Sequence, residues 1–479
     1  MRFMSLIILS LLITACAMGP DYTRPNVPVP DSFRMAETEE TQSIANLPWW
    51  ELLRDEELQK LVRIALHENK NLQLAVARVE AFQAFLGSAR MEFAPQLNAT
   101  ANLPFGKLNA VNIPRVPSSS SYYGQANLSW ELDIWGRVRR ANEAARAQLL
   151  AEEENRRAVV LELVASVAQA YFDLRQLDMQ LEIGKEALQS WEESVEIAEA
   201  RLRQGLITRL DVDQFEAERA NAAARLFELE RAMIQKENEL SVLLGRNPAR
   251  IGRGRSLTEQ GMPPEVPAGL PSELLQRRPD ILRSEQDLAA ATARIGVAKA
   301  SRFPTISLTG ILGVASPQLS GLEEGNFGAA GVGLFAPLFN ARTFGFEQKA
   351  AEAQARQVLA LYEQTVIIAF REVEDALVAV RTARDQNKAE ESQVAALQSA
   401  LHLADLRYQS GHSNYLDVLT AKRNLYEAEL ALTATRRLHL VSIVQLYKAL
   451  GGGWEPAMEQ PRSTRFPPDL HWGEPIQPG

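Results

Sequence analysis

Gly205-Leu206-Ile207-Thr208-Arg209-Leu210-Asp211-Val212 recurs 206 residues later as Gly411-His412-Ser413-Asn414-Tyr415-Leu416-Asp417-Val418. The recurrence extends outward. Residues 143–245 align with 349–451 without a gap, at 21 identities in 103 positions. Ala144, Ala145, Ala147 and Gln148 match Ala350, Ala351, Ala353 and Gln354, and Leu244-Gly245 matches Leu450-Gly451. A second offset of 209 residues pairs Gly87, Ala89, Pro95 and Leu97 with Gly296, Ala298, Pro304 and Ile306. The chain is therefore one unit written twice. An ordinary solenoid needs about three repeats or more. Two copies point instead to pseudo-symmetry within one structure.

Each unit reads as helix, two strands, long helix and returning helix. Residues 51–92 are rich in Leu, Ala, Glu and Arg, lack proline, and read as a helix that Pro95 ends. The segments 95–104 and 122–135 alternate polar and apolar residues, the signature of a strand with one wet and one apolar face. Their counterparts are 304–314 and 327–339. Long helices are expected over 136–204 and 341–410, and returning helices over 210–245 and 416–450. A helix over 136–204 would extend about 100 Å, a length that implies coiled-coil packing. Gly205 and Gly411 suit helix C-caps. Asp211 and Asp417 are expected to cap the returning helices by accepting backbone N–H bonds. The first repeat thus covers 51–256 and the second 273–454, joined by a Pro-rich linker over 257–272 and followed by an irregular tail over 455–479.

The remaining composition excludes several classes. The 479 residues carry a net charge of −9, which argues against nucleic acid as a partner. Mean hydropathy of −0.18 excludes a bundle of transmembrane helices. A single cysteine leaves no intrachain disulfide and no Cys-based zinc site. None of the five histidines lies in an H-E-x-x-H pattern, and no Walker A or G-x-S-x-G motif occurs. No enzyme activity, metal or cofactor is therefore expected. The lone cysteine has its own meaning. Arg2 precedes an apolar stretch over 4–13, too short to span a bilayer but suited to a signal peptide. It ends in Ile13-Thr14-Ala15-Cys16, which resembles the lipobox of bacterial lipoproteins. That resemblance implies a signal over 1–15, a covalent lipid on Cys16, and a lipid-anchored segment over 16–50. Ala17 rather than Asp after the cysteine implies passage to the outer membrane.

The strands have bilayer length, since about 9–11 tilted residues span the hydrocarbon. Trp130, Trp135, Phe335 and Phe339 are candidate interfacial aromatics. Four strands cannot close a barrel, and an open edge is not tolerated in lipid. Transmembrane strands would thus demand a symmetric oligomer. A soluble four-stranded sheet beneath the helices fits the same alternation.

Several segments carry a family resemblance: Glu131-Leu132-Asp133-Ile134-Trp135-Gly136-Arg137, Arg278-Pro279-Asp280, the run from Ala300 to Gly310, the run from Phe370 to Leu377, Tyr415-Leu416-Asp417-Val418-Leu419, and the run from Leu446 to Gly453. In this order, on a duplicated chain with a lipobox, they resemble the TolC-like outer-membrane efflux proteins, in particular their lipoprotein branch. The resemblance implies a mainly α fold with a transmembrane β-barrel part: a homotrimer with a 12-stranded barrel on a 12-helix periplasmic tunnel. It implies a passive exit duct, lodged in outer-membrane lipids and joined by a periplasmic adaptor to an inner-membrane RND-type transporter. Asp211, Asp417 and Tyr408 resemble the family's periplasmic aperture residues, with Arg209, Asp213 and Tyr415 close by. The tip residues Gly205, Leu206, Gly411 and His412 would meet the adaptor. Ser413 stands where some relatives carry an arginine, and Thr420 where some carry a further Asp. Cargo stays open among drugs, metal ions and other small molecules. A lipid-anchored periplasmic coiled-coil scaffold without a barrel is the competing reading.

Overall fold

The computed structural model describes residues 17–34, 43–46, 48, 52–102, 122–260, 269, 271–337, 339, 341–413 and 415–452. The expected signal peptide, Cys16, most of the Pro-rich linker and the C-terminal tail lie outside these residues. Among the described residues, twelve α-helices and β-strands follow one another in two matching series. The first is α1 (Glu56–Glu68), α2 (Lys70–Met91), β1 (Gln96–Asn102), β2 (Tyr122–Leu132), α3 (Arg137–Arg203) and α4 (Arg209–Leu243). The second is α5 (Pro271–Arg277), α6 (Pro279–Ala300), β3 (Thr305–Ser316), β4 (Asn326–Phe335), α7 (Ala341–Gln409) and α8 (Tyr415–Ala449). At 67 and 69 residues, α3 and α7 each extend about 100 Å.

The expected single helix over 51–92 is two helices. Asn69 breaks it, ending α1 in extended conformation while its side chain accepts from Leu72 N to cap α2. The break serves a contact. Asn69 Nδ2 donates 2.8 Å to the carbonyl of Leu243, at the end of α4. The second unit repeats the device with other residues. Arg278 separates α5 from α6, Pro279 opens α6, and the Arg278 guanidinium donates 3.0 Å to the carbonyl of Ala449, at the end of α8. Gly245 and Gly451, both left-handed at φ 77° and 71°, admit these breaks. A Cβ on Gly245 would stand 2.3 Å from the carbonyl oxygen of Glu68. Arg278 also pairs with Asp280 and, at 2.7 Å, with Glu372 on α7.

Around these breaks lies the largest core. Tyr171, Leu174, Tyr362, Val366, Val373, Leu240 and Leu446 are wholly buried there, from α3, α7, α4 and α8. Asp55 ties the belt to the loop after α4. Its buried carboxylate caps α1 and accepts from Tyr171 Oη, Gln260 Nε2 and Arg255 N. Burial would raise its pKa, but these hydrogen bonds outweigh burial and hold it below the ordinary value.

The four strands form one antiparallel sheet in the order β1-β2-β3-β4, so β1 and β4 are its edges. Register decides what each face carries. Leu97, Ala99 and Ala101 pair with Leu128, Ala126 and Gly124. Gly124, Ala126, Leu128, Trp130 and Leu132 in turn pair with Val314, Leu312, Gly310, Leu308 and Ile306. Leu312, Gly310, Leu308 and Ile306 pair with Gly328, Ala330, Val332 and Leu334. That face is apolar on all four strands except at its far end, where Tyr122, Ser316 and Asn326 lie. The opposite face carries Gln96, Asn98, Thr100, Asn102, Gln125, Asn127, Ser129, Glu131, Thr305, Ser307 and Thr309, with Tyr123, Ile311, Gly313 and Ala315 towards its far end and small and aromatic residues on β4.

Two expected strand ends move. β2 stops at Leu132, and Asp133 caps α3 by accepting from Val138 N and Arg139 N. Trp135 therefore lies in the link, stacked on Phe303 at 4.8 Å and donating to the carbonyl of Pro304. β4 stops at Phe335, whose register places it on the polar face, and Phe339 lies beyond the strand. The N-terminal segment is fastened to the same strand-to-helix junction. Met18 N donates to the carbonyl of Trp135, and Arg140 donates to the carbonyl of Met18 and to Asp21. Gly19 sits against Gly296, where a Cβ would meet backbone at 2.5 Å.

Candidate functional site

The two helical turns far from the sheet have one construction. Gly205 and Gly411 adopt φ 73° and 74°. The N–H of Leu206 bonds the carbonyl of Arg201, and the N–H of His412 that of Arg407. The N–H groups of Gly205 and Gly411 bond the carbonyls of Leu202 and Tyr408. This is the Schellman closure of a helix end, which a left-handed glycine permits. Leu206, Leu210 and Leu416 are left exposed, as is His412, whose Nδ1 lies 3.1 Å from Ser410 Oγ.

Asp211 caps α4 as expected, by accepting a backbone N–H bond, although the N-cap residue itself is another. Thr208 is the N-cap of α4. Asp211 stands three residues on, accepting 2.7 Å bonds from Thr208 N and Thr208 Oγ1, while Thr208 Oγ1 accepts from Asp211 N. The pair is a capping box with Asp in the Glu/Gln position. Asp417 occupies the same third position of α8, and Asn414 before it lies outside the described residues. Arg209 and Asp213 pair with each other at 2.8 Å on the exposed surface of α4 rather than with the second turn.

Tyr408 and Tyr415 are brought together, with rings 6.1 Å apart. Tyr415 lies 3.8 Å from Phe215, which in turn lies 6.4 Å from Trp191. The Arg201 guanidinium covers Tyr408 at 4.2 Å. Trp191 and Arg201 come from α3, Phe215 from α4, Tyr408 from α7 and Tyr415 from α8. The cluster therefore joins the two hairpins of the chain near their tips. Burial, followed by the charges of Glu218, Tyr408 and Asp211, pushes the Tyr415 phenol above its ordinary pKa. The hydroxyls of Tyr408, Ser413 and Tyr415 are buried and have no hydrogen-bond partner among the described residues.

Next along the same seam is Lys422, which sequence reasoning missed. Its ammonium donates to the carbonyl and Oγ of Ser190 and to Ser194 Oγ, at 3.3, 2.9 and 2.8 Å, and lies 5.5 Å from the Trp191 ring. Burial pushes its pKa down, while Asp405 and Glu193 pull it back up. Further along, α8 meets α3 through polar pairs: Arg437 with Asp173, Gln445 with Gln169, and Lys448 with Glu162. Apolar packing thus joins the hairpins at the tip and at the waist, and at the waist these polar pairs flank the buried core. No local signal marks such pairs, because the offset between the hairpins is not written within either one.

The model of a family described as "outer membrane efflux protein" matches residues 61–246 and 270–452. The outer membrane protein OprJ of Pseudomonas aeruginosa is 36% identical over 462 residues, which cover 94% of this chain and 96% of OprJ. The cation efflux system protein CusC of Escherichia coli is 33% identical over 454 residues, covering 93% of this chain and 98% of CusC. An open-state crystal structure of the MtrE outer membrane channel of Neisseria gonorrhoeae superposes with a TM-score of 0.81. It is 34% identical, over 91% of this chain and 98% of that one.

Removing the ring at the centre of the tip cluster should loosen the tip alone. Phe215→Ala leaves a cavity beside Trp191 and Tyr415, at a cost of about 3 kcal/mol. Hydrogen exchange should quicken over residues 188–222 and 408–425 and stay unchanged around Tyr171 and Leu446. Equal acceleration at the waist would show that the cluster is not a local unit.

Proposed function

The chain belongs to the outer membrane efflux protein family, and we propose that three copies form one exit duct, their four-stranded sheets closing a 12-stranded barrel across the outer membrane. The α-helices of the three copies build the periplasmic tunnel below it. The observation that carries this reading is the unbroken apolar face, from Leu97 on β1 to Leu334 on β4. A scaffold in water has no use for such a face. A barrel wall in lipid requires it, with polar residues turned to the lumen. β2, β3 and β4, at 11, 12 and 10 residues, are long enough to cross.

Each end of the duct then has a role. The strand-to-helix junction marks the membrane surface, and Ala17 is held there beside Gly136. A lipid on Cys16, one residue earlier, would enter the bilayer beside the barrel wall, its acyl chains contributing about 0.8 kcal/mol per buried CH₂. Incorporation of labelled palmitate should be lost in Cys16→Ala; its retention would refute the anchor. The tips at Gly205 and Gly411 form the periplasmic mouth. Three-fold symmetry would bring copies of Asp211 and Asp417 towards the axis. A ring of carboxylates favours cations. The exposed Leu206 and His412 beside the two glycines are suited to a periplasmic adaptor, which would link the duct to an inner-membrane RND-type transporter. OprJ is named only as an outer membrane protein and CusC for cation efflux, so relatives do not assign a cargo, and the duct is read as a passive conduit for small molecules.

Purified chains in planar bilayers should give small resting conductances, which Asp417→Ala should increase. Conducting channels whose resting level is unaltered by Asp417→Ala would remove the gate role. Absence of any conductance from reconstituted wild-type protein would favour the scaffold.

A further inference from the structure

Among the described strand residues, one side chain carries a formal charge. It is Glu131, near the end of β2 where the sheet meets α3. Its register places it on the polar face with Ser129, Asn127 and Gln125, opposite Ser307 on β3. Everything else described on that face is amide, hydroxyl, aromatic, aliphatic or glycine. Glu131 is also not free. Arg137, in the first turn of α3, grips it with both ends of its guanidinium: Nε donates to Oε1 at 2.9 Å and Nη2 to Oε2 at 2.8 Å. Both side chains are about one-third exposed. The neighbouring acid, Asp133, is engaged separately by Val138 N and Arg139 N.

We propose that Arg137 is a specificity-determining residue, which keeps the strand-walled section of the duct free of uncompensated charge by pairing with Glu131. The proposal rests on reading the strands as a membrane-spanning barrel whose polar face lines the lumen. Bidentate pairing suits the task, because the planar guanidinium matches both carboxylate oxygens and fixes the charges side by side. Left alone, three copies of Glu131 would form an acidic ring at the inner end of the barrel, and such rings select cations. With the pair intact, that ring is compensated. Neutral, cationic and anionic solutes then meet the same uncharged lining on their way out, and charge discrimination is left to the periplasmic end.

Reversal potentials of wild type and variants, measured in planar bilayers under a potassium chloride gradient, test this. Arg137→Gln should shift the reversal potential towards the potassium potential, and Glu131→Gln towards the chloride potential. The double variant Glu131→Gln/Arg137→Gln should return to the wild-type value, and Arg137→Lys should stay near it. Opposite shifts that cancel are a signature of charge and not of damage to the fold. If Arg137→Gln yields no channels, the Glu131→Gln shift decides alone. Unchanged potentials in all conducting variants, or shifts of one sign in both singles, would overturn the inference. Failure of the wild type to conduct would instead strike the duct reading on which it rests.

Discussion

An unpaired strand edge cannot face hydrocarbon, because no water is present to satisfy its N–H and C=O groups. The sheet of this chain has two such edges, β1 and β4, and its apolar face runs up to both of them. Under the proposed reading this constraint dictates the rest. The sheet must curl, and four strands fall short of the about eight at which a barrel interior is just filled by side chains. The edge of β4 must therefore find β1 of another copy. A head-to-tail contact of that kind ends only when the ring closes, so the oligomer is a consequence of the strand count.

The helices answer a different demand. A helix of about 100 Å is not stable by propensity, and it needs lateral partners along its length. Duplication supplies them. Each unit contributes a long and a returning helix, and at the waist each returning helix ends against a break in the preceding helices. Asn69 and Arg278 perform the same hydrogen bond to Leu243 and Ala449 with different chemistry. The two hairpins then meet through an apolar cluster at the tip and a belt of core at the waist that is flanked by polar pairs. Polar pairs such as Arg437 with Asp173 fix register through directional bonds rather than through interdigitated volume.

Much of this was legible in the sequence. The two offsets, the proline-free runs and the glycines at 205 and 411 placed the long helices and their turns to within a residue or so, since each rests on local periodicity and backbone chemistry. The break at Asn69 was missed because nothing at that position forbids a helix. Its partner position, Arg278 before Pro279, carried the signal through the 209-residue offset. The capping role of Asp211 was legible, but its partner Thr208 was overlooked, although Thr208-Arg209-Leu210-Asp211 spells a capping box with Asp in third place. Trp135 looked like the end of a strand because alternation continues through Asp133 and Ile134, but the Asp133 side chain captures the first turn of α3. The aromatic cluster and the seat of Lys422 were not legible at all. They depend on how one hairpin lies on the other, and that offset is set by packing between residues some 200 positions apart.

The central claim is that β4 of one copy pairs with β1 of the next until three copies close the ring. Disulfide trapping tests it most directly. Single cysteines at Leu97, Ala99 or Ala101 on β1 would be combined with single cysteines at Gly328, Ala330 or Val332 on β4, in a Cys16→Ser background. The account predicts that some combinations yield covalent trimers on non-reducing gels, while either cysteine alone yields monomers. Chains that stay monomeric in every combination, or ladders that run past three, would contradict it.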